Sequence, residues 1–168
     1  MNNNIQTLII SYFALLLIQF FVLNSFHFTK FIIPYFYLIF IVLFPVNINK
    51  LIFLIIAFLM GFIVDLLTYS FGVHAFTCVL VAYMRTPILK IFAGRAELEL
   101  KEITVESLSI IKFLVFSSIL VFIHHLIVFH LELFSFKKFF ITTFQSIVSS
   151  FFTLLVFMFH QLLTGKIK

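Results

Sequence analysis

Charge is what this sequence most lacks. Asp, Glu, Lys and Arg make up 10% of its 168 residues, against about 25% in ordinary soluble domains. That scarcity excludes a soluble globular domain, which could not cover so much apolar surface. The single cysteine, Cys78, excludes an internal disulfide and has no partner at metal-ligand spacing, so it reads as a small packing residue. Tryptophan is absent, which leaves Tyr35, Tyr37, Tyr69 and Tyr83 as candidate interface anchors. No phosphate-binding loop, G-x-S-x-G elbow, H-E-x-x-H pair or paired carboxylates occur. No basic, aromatic-interleaved patch of the kind that reads nucleic acid occurs either. The sequence therefore carries no expectation of a cofactor, a metal or catalysis.

What is present is apolar. Hydrophobic residues are 64% of the chain and the mean hydropathy is +1.27. The 28 phenylalanines form no local cluster, and composition bias accounts for them more simply than a ligand groove. The runs are long and lack strict alternation, so helices fit better than barrel strands. The expected fold is an all-α, polytopic membrane bundle in one domain, 1–168, with spans near 5–26, 31–46, 51–69, 73–92, 109–131 and 139–163. The start, Met-Asn-Asn-Asn, lacks a basic n-region, so 5–26 reads as a retained first helix. Pro34 is expected in the first turn of segment two. At 16 residues that segment barely crosses a 30 Å core, and it could pair with segment three as an incompletely crossing hairpin. Pro45–Lys50 is a polar turn.

Basic residues set the orientation. With six spans and a cytoplasmic N-terminus, Lys50, Arg85, Lys90, Arg95, Lys101, Lys112, Lys166 and Lys168 lie inside. Lys30, Lys137 and Lys138 lie outside, which favours both termini in the cytoplasm. The 93–108 connection, with Glu97, Glu99, Lys101, Glu102 and Glu106, reads as a solvated loop or a short amphipathic surface helix.

Asp65 is the only acidic residue within an expected span, where a charge is expensive. Ala57, Gly61 and Asp65 recur every four residues and share one helix face. Ala and Gly there admit a neighbouring backbone closely. Asp65 then caps or bonds the adjoining helix, and a bond to His74 across the turn at Gly72 is expected. Arg85, in Tyr83-Met-Arg85-Thr-Pro87, is expected to snorkel to the headgroups or to pair with a phosphate or a partner's acid. His124, His125, His130 and Glu132 lack metal-site spacing and read as interfacial residues, as do His160 and Gln161.

The stretch Pro34–Pro45, then Gly61-x3-Asp65-Leu, Gly72-Val-His74-Ala and Ala82-Tyr83-x-Arg85, resembles the rod shape-determining protein MreD family of bacterial inner-membrane proteins. Its form is similar to that of Bacteroidetes members. The motif content covers about residues 30–90, and the remainder matches in hydropathy alone. The resemblance implies a non-enzymatic subunit of the rod complex, or elongasome, which supports peptidoglycan synthesis and cell shape. The partners it implies are an MreC-like membrane protein, an MreB-like actin filament, a RodA-type glycosyltransferase and a class-B penicillin-binding protein, besides membrane lipids. The motif positions Gly61, Asp65, Gly72, His74, Tyr83 and Arg85, together with Ala57 on the same helix face, are the structural or partner-contact candidates. The resemblance also implies a fold similar to the substrate-binding subunits of energy-coupling-factor (ECF) transporters, so the alternative function is a small-molecule-binding transporter subunit. Few intramembrane polar residues beyond Asp65, His74, Gln19 and Gln145 would serve such a pocket. A membrane enzyme on lipid-linked substrates is a third reading, disfavoured by the scarcity of paired acids and bases.

Overall fold

The computed structural model describes residues 10, 12–14, 16–17, 19–20, 32–46, 48–92, 103 and 105–163. These residues are helical or connecting, with no strand among them. The described positions between 10 and 20 are helical. Six further helices follow: α1 (Leu38–Leu43), α2 (Lys50–Thr68), α3 (Val73–Phe92), α4 (Val105–Leu108), α5 (Ile110–Leu133) and α6 (Phe139–Leu163). Three of them, α2, α5 and α6, are long and apolar enough to cross a membrane. The twenty residues of α3 match the length of a span, but it carries Arg85 and Lys90.

Short turns make α2–α3 and α5–α6 two antiparallel hairpins, which meet along α3 and α5. His74 at the start of α3 lies 3.5 Å from Glu132 at the end of α5, so both turns lie at one end of the bundle. Asn49 caps α2, its side-chain oxygen accepting the Leu51 N–H at 2.8 Å, which ends the expected polar turn as a helix start. Tyr69, left-handed at φ 57°, closes α2, and Gly72, at φ 91°, leads into α3. Only glycine adopts such a φ without strain. Tyr12 ties the first helical stretch to α2 by donating to the Met60 carbonyl at 3.0 Å.

Segment 31–46 is not a helical span. It is irregular over 32–35, turns at 36–37 and makes only the six residues of α1, all buried. Six helical residues rise about 9 Å, far less than a bilayer core. Pro34 lies in the irregular stretch before α1, not in the first helical turn. The segment reads as a span because most of it, Tyr35 and 37–45, is buried within the protein. Its residues must be apolar for packing, whatever their backbone does. Non-helical backbone at such depth is tolerated only inside protein, and its polar groups find partners on other elements. The Ile33 N–H donates to Ser149 and the Tyr35 N–H to Thr153, both on α6 at 3.2 Å. The Gln19 side-chain oxygen accepts the Phe36 N–H at 2.8 Å.

The expected first span, 5–26, lies largely outside the described residues, as do Glu97, Glu99, Lys101 and Glu102. The later part of the 93–108 connection is not a solvated loop, since Ile103 and Leu108 are buried in the core. On α6 the buried face carries Thr142, Ser146, Ser149 and Thr153. Three of these hydroxyls donate to the carbonyl four residues earlier, at 2.9–3.0 Å. The seam meets Ile33 and Tyr35 of the broken segment and, at Thr153, His125 of α5, and small hydroxyl residues of this kind let neighbouring elements approach closely.

Candidate functional site

Asp65 sits near the C-terminus of α2, is buried, and caps the next helix. Its Oδ1 accepts the His74 N–H at 2.9 Å and its Oδ2 the Ala75 N–H at 2.8 Å. The Ser70 hydroxyl donates to Oδ1 at 2.6 Å. An anion at a helix N-terminus meets both unpaired amides and the positive end of the helix dipole. These bonds offset the cost of placing a carboxylate within the apolar bundle. The expected Asp65–His74 bond is therefore made by the His74 backbone, while the imidazole points elsewhere. Gly61 stands one turn before Asp65 and makes the approach possible. A Cβ there would lie 2.4 Å from the His74 carbonyl oxygen and 2.6 Å from the Ala75 Cα. Ala57, fully buried, continues the same face.

Arg85 neither snorkels nor waits for a partner's phosphate. It is buried, with Nε donating to the Val42 carbonyl at 3.3 Å and Nη2 to the Phe44 carbonyl. Its guanidinium lies 5.1 Å from the centre of the Phe53 ring. The last carbonyls of a short helix have no partner of their own, and Arg85 supplies one. Tyr83 parts company with it: its ring is half exposed and takes the Lys50 ammonium 3.9 Å above its centre.

A second polar centre joins residues far apart in sequence. The Tyr37 hydroxyl lies 2.8 Å from Nδ1 of His74 and 2.9 Å from Nε2 of His124. The Tyr35 ring stands edge-on to His74 and His124 and tilted against His125, with centres 5.0–5.3 Å apart. His125 donates from Nδ1 to the Val121 carbonyl at 2.8 Å, and its Nε2 lies 3.2 Å from the Thr153 hydroxyl. Glu132, about one-third exposed, reaches within 3.5 Å of His74 Nε2.

His124 and His125 are thus fully buried, not interfacial. The same correction applies to Gln161, also buried. His130 turns to α6, its Nε2 3.5 Å from the Thr143 hydroxyl. Among the described residues no group of three or more His, Cys, Asp or Glu is placed to hold a metal ion. The space between the His74 and His124 nitrogens is taken by the Tyr37 hydroxyl.

Of the residues singled out from sequence, the structure brings Ala57, Gly61, Asp65, Gly72 and His74 together at one helix junction. It sets Arg85 apart, deeper along α3. Tyr35, Tyr37, His124, His125 and Thr153 form a centre that sequence reasoning did not assemble. The one readable signal was the spacing of hydroxyl residues along α6. No protein-family model matches this chain, and no curated protein or solved structure matches it.

Proposed function

We propose that this chain is a non-enzymatic, multi-pass scaffold subunit of the rod complex in a bacterial inner membrane, as its resemblance to the MreD family implies. In this reading both termini are cytoplasmic. The α2–α3 and α5–α6 turns face outward, and segment 31–46 makes a broken sixth passage through the interior. The scaffold packs an MreC-like membrane helix against its apolar flank. MreB-like filaments, a RodA-type glycosyltransferase and a class-B penicillin-binding protein complete the assembly.

One observation carries the reading. The polar groups that a chemist would assign to a reaction are occupied by the fold itself. The Asp65 carboxylate is taken by two amides of α3, the Arg85 guanidinium by two carbonyls, and the Tyr37 hydroxyl by two imidazoles. The exposed surfaces of α2, α5 and α6 are rich in large apolar side chains, suited to lipid or to a partner helix. The test is co-expression with the MreC-like protein of the same organism. Wild-type chain should co-purify with it, and Gly61→Leu or Asp65→Leu should lose it. Co-purification that survives both changes overturns the proposal.

A second reading, a small-molecule-binding subunit of an ECF-type transporter, draws on the convergence of Tyr35, Tyr37, His74, His124, His125 and Thr153. A vitamin retained through purification and seen by native mass spectrometry would favour it.

A further inference from the structure

Both hairpins end their first helix with the same device. Tyr69 closes α2 and Phe134 closes α5, each in the left-handed region, at φ 57° and φ 38°. Each donates its N–H to the carbonyl four residues earlier, of Asp65 and of His130. Glycine is the usual residue in this place, because a side chain there is strained. Phe71, in the α2–α3 turn, is left-handed as well, at φ 53°. The side chains held in these costly positions are not packed. Tyr69 is 83% exposed, Phe71 100%, Phe134 83%, and Phe140, in the first turn of α6, 88%. In water such rings would combine backbone strain with bare apolar surface and gain from neither. The opposite end of α2 has a connection of the ordinary aqueous kind, with Asn49 as cap and Lys50 exposed.

Two further observations identify what covers the rings. The first is that their apolar surface continues onto the flank of the bundle. A groove of about 730 Å3 joins Tyr69 and Phe71 to Phe62 on α2 and Phe76 on α3, and α2 is long and apolar enough to cross a membrane. The second is charge. Lys137 and Lys138 are exposed in the chain between Phe134 and Phe140. Among the described residues the acids at this end are Asp65, which holds the amides of α3, and Glu132, which faces His74. Rings beside lysines are the pattern of a surface that sinks into a bilayer. The rings lie among the upper acyl chains, while the long cations reach up to the phosphates.

We propose that the turn end of the bundle is a lipid-binding face. Tyr69, Phe71, Phe134 and Phe140 lie beneath the headgroups of one leaflet, and Lys137 and Lys138 bind the phosphates of anionic phospholipids there. The left-handed residues aim the rings into the lipid. Glycine in these places would turn the chain equally well and hold nothing in the bilayer. Both hairpin ends are thereby pinned to one depth, although α5 and α6 are longer than α2 and α3.

The face stands independently of the rod-complex reading and of which leaflet it meets. The chain has no tryptophan, so Phe71→Trp and Phe134→Trp each carry a single tryptophan reporter at an exposed site. Each full-length variant is reconstituted in phosphatidylcholine vesicles holding a minor fraction of phosphatidylglycerol. Both emissions should be blue-shifted, quenched by lipids brominated high on the acyl chain, and protected from acrylamide in the aqueous phase. With bromine on the phosphatidylglycerol alone, Phe134→Trp should be quenched several-fold more than with an equal amount of brominated phosphatidylcholine. That excess should vanish when Lys137→Gln and Lys138→Gln are added, while quenching by brominated phosphatidylcholine remains. Should Phe134→Trp fail to fold, Phe140→Trp, on regular helix, carries the same measurement. Access of acrylamide to either tryptophan would place the turns in water, open to a protein partner, and overturn the proposal. Equal quenching by the two brominated lipids, or an excess that survives the loss of both lysines, would overturn it as well.

Discussion

The two polar centres of this bundle differ in the distance from which their parts are drawn. At the α2–α3 junction the acid, the glycine and the amides they serve lie within fifteen residues, 61–75. At the Tyr37 centre the contacting pairs are separated by 37 and 87 positions. The first is a local device: a side chain satisfies backbone groups that any helix leaves unpaired. The second is a tertiary device: side chains satisfy one another only once three elements have met. A local device should be costly to alter because the backbone has no alternative partner within reach. A tertiary device can loosen while each helix survives.

Substitutions can separate the two kinds. The largest effect is expected from Gly61→Leu, whose side chain would collide with the α3 backbone and force the hairpin apart. Overpacking of this sort costs about 3 kcal/mol or more when backbone must move. The readout is resistance to denaturation by sodium dodecyl sulfate in mixed micelles. Asp65→Leu should follow, at about 2–4 kcal/mol, because it strands two buried amides at once. Asp65→Asn should recover part of that loss, since its one side-chain oxygen can still cap. Tyr37→Phe should cost less, about 1–3 kcal/mol, by leaving imidazole nitrogens unpaired. Its expected signature is faster hydrogen exchange in segment 32–46 with α2 and α3 still protected. Equal loss of protection across all elements would show the contrast between the centres to be false. Smallest is Lys50→Ala, which removes a partly exposed contact with the Tyr83 ring worth about 0.5 kcal/mol. Its denaturation curve should nearly overlay the unaltered one.

The same contrast explains what could be read from the sequence. The junction was legible because its parts recur at helical spacing: Ala57, Gly61 and Asp65 declare one face, and Gly72 declares the break. The boundaries of α2, α3, α5 and α6 lie within a few residues of the expected spans for a like reason, since turns and charges interrupt the apolar runs. Segment 31–46 was misread because burial inside protein and burial in lipid select the same apolar residues. Hydropathy cannot tell them apart, and only the backbone partners on α3 and α6 do so. Arg85 was misread through the default that a long cation seeks the headgroups, a default that holds unless carbonyls without partners lie closer. The histidines were assigned to the interface because their position along α5 was legible while the depth of their surroundings was not.

The broken segment also constrains how the protein is made. Its backbone is synthesised early, yet Arg85 follows the carbonyls it binds by 43 and 41 positions, and Thr153 follows Tyr35 by 118. Until those later stretches emerge, residues 32–46 hold polar atoms that lipid cannot solvate. The nascent chain must therefore keep this piece sheltered within the insertion machinery, or at the aqueous boundary, and admit it to the bilayer only as the C-terminal hairpin arrives. Assembly of this bundle is then a single late event, not a succession of independently inserted helices.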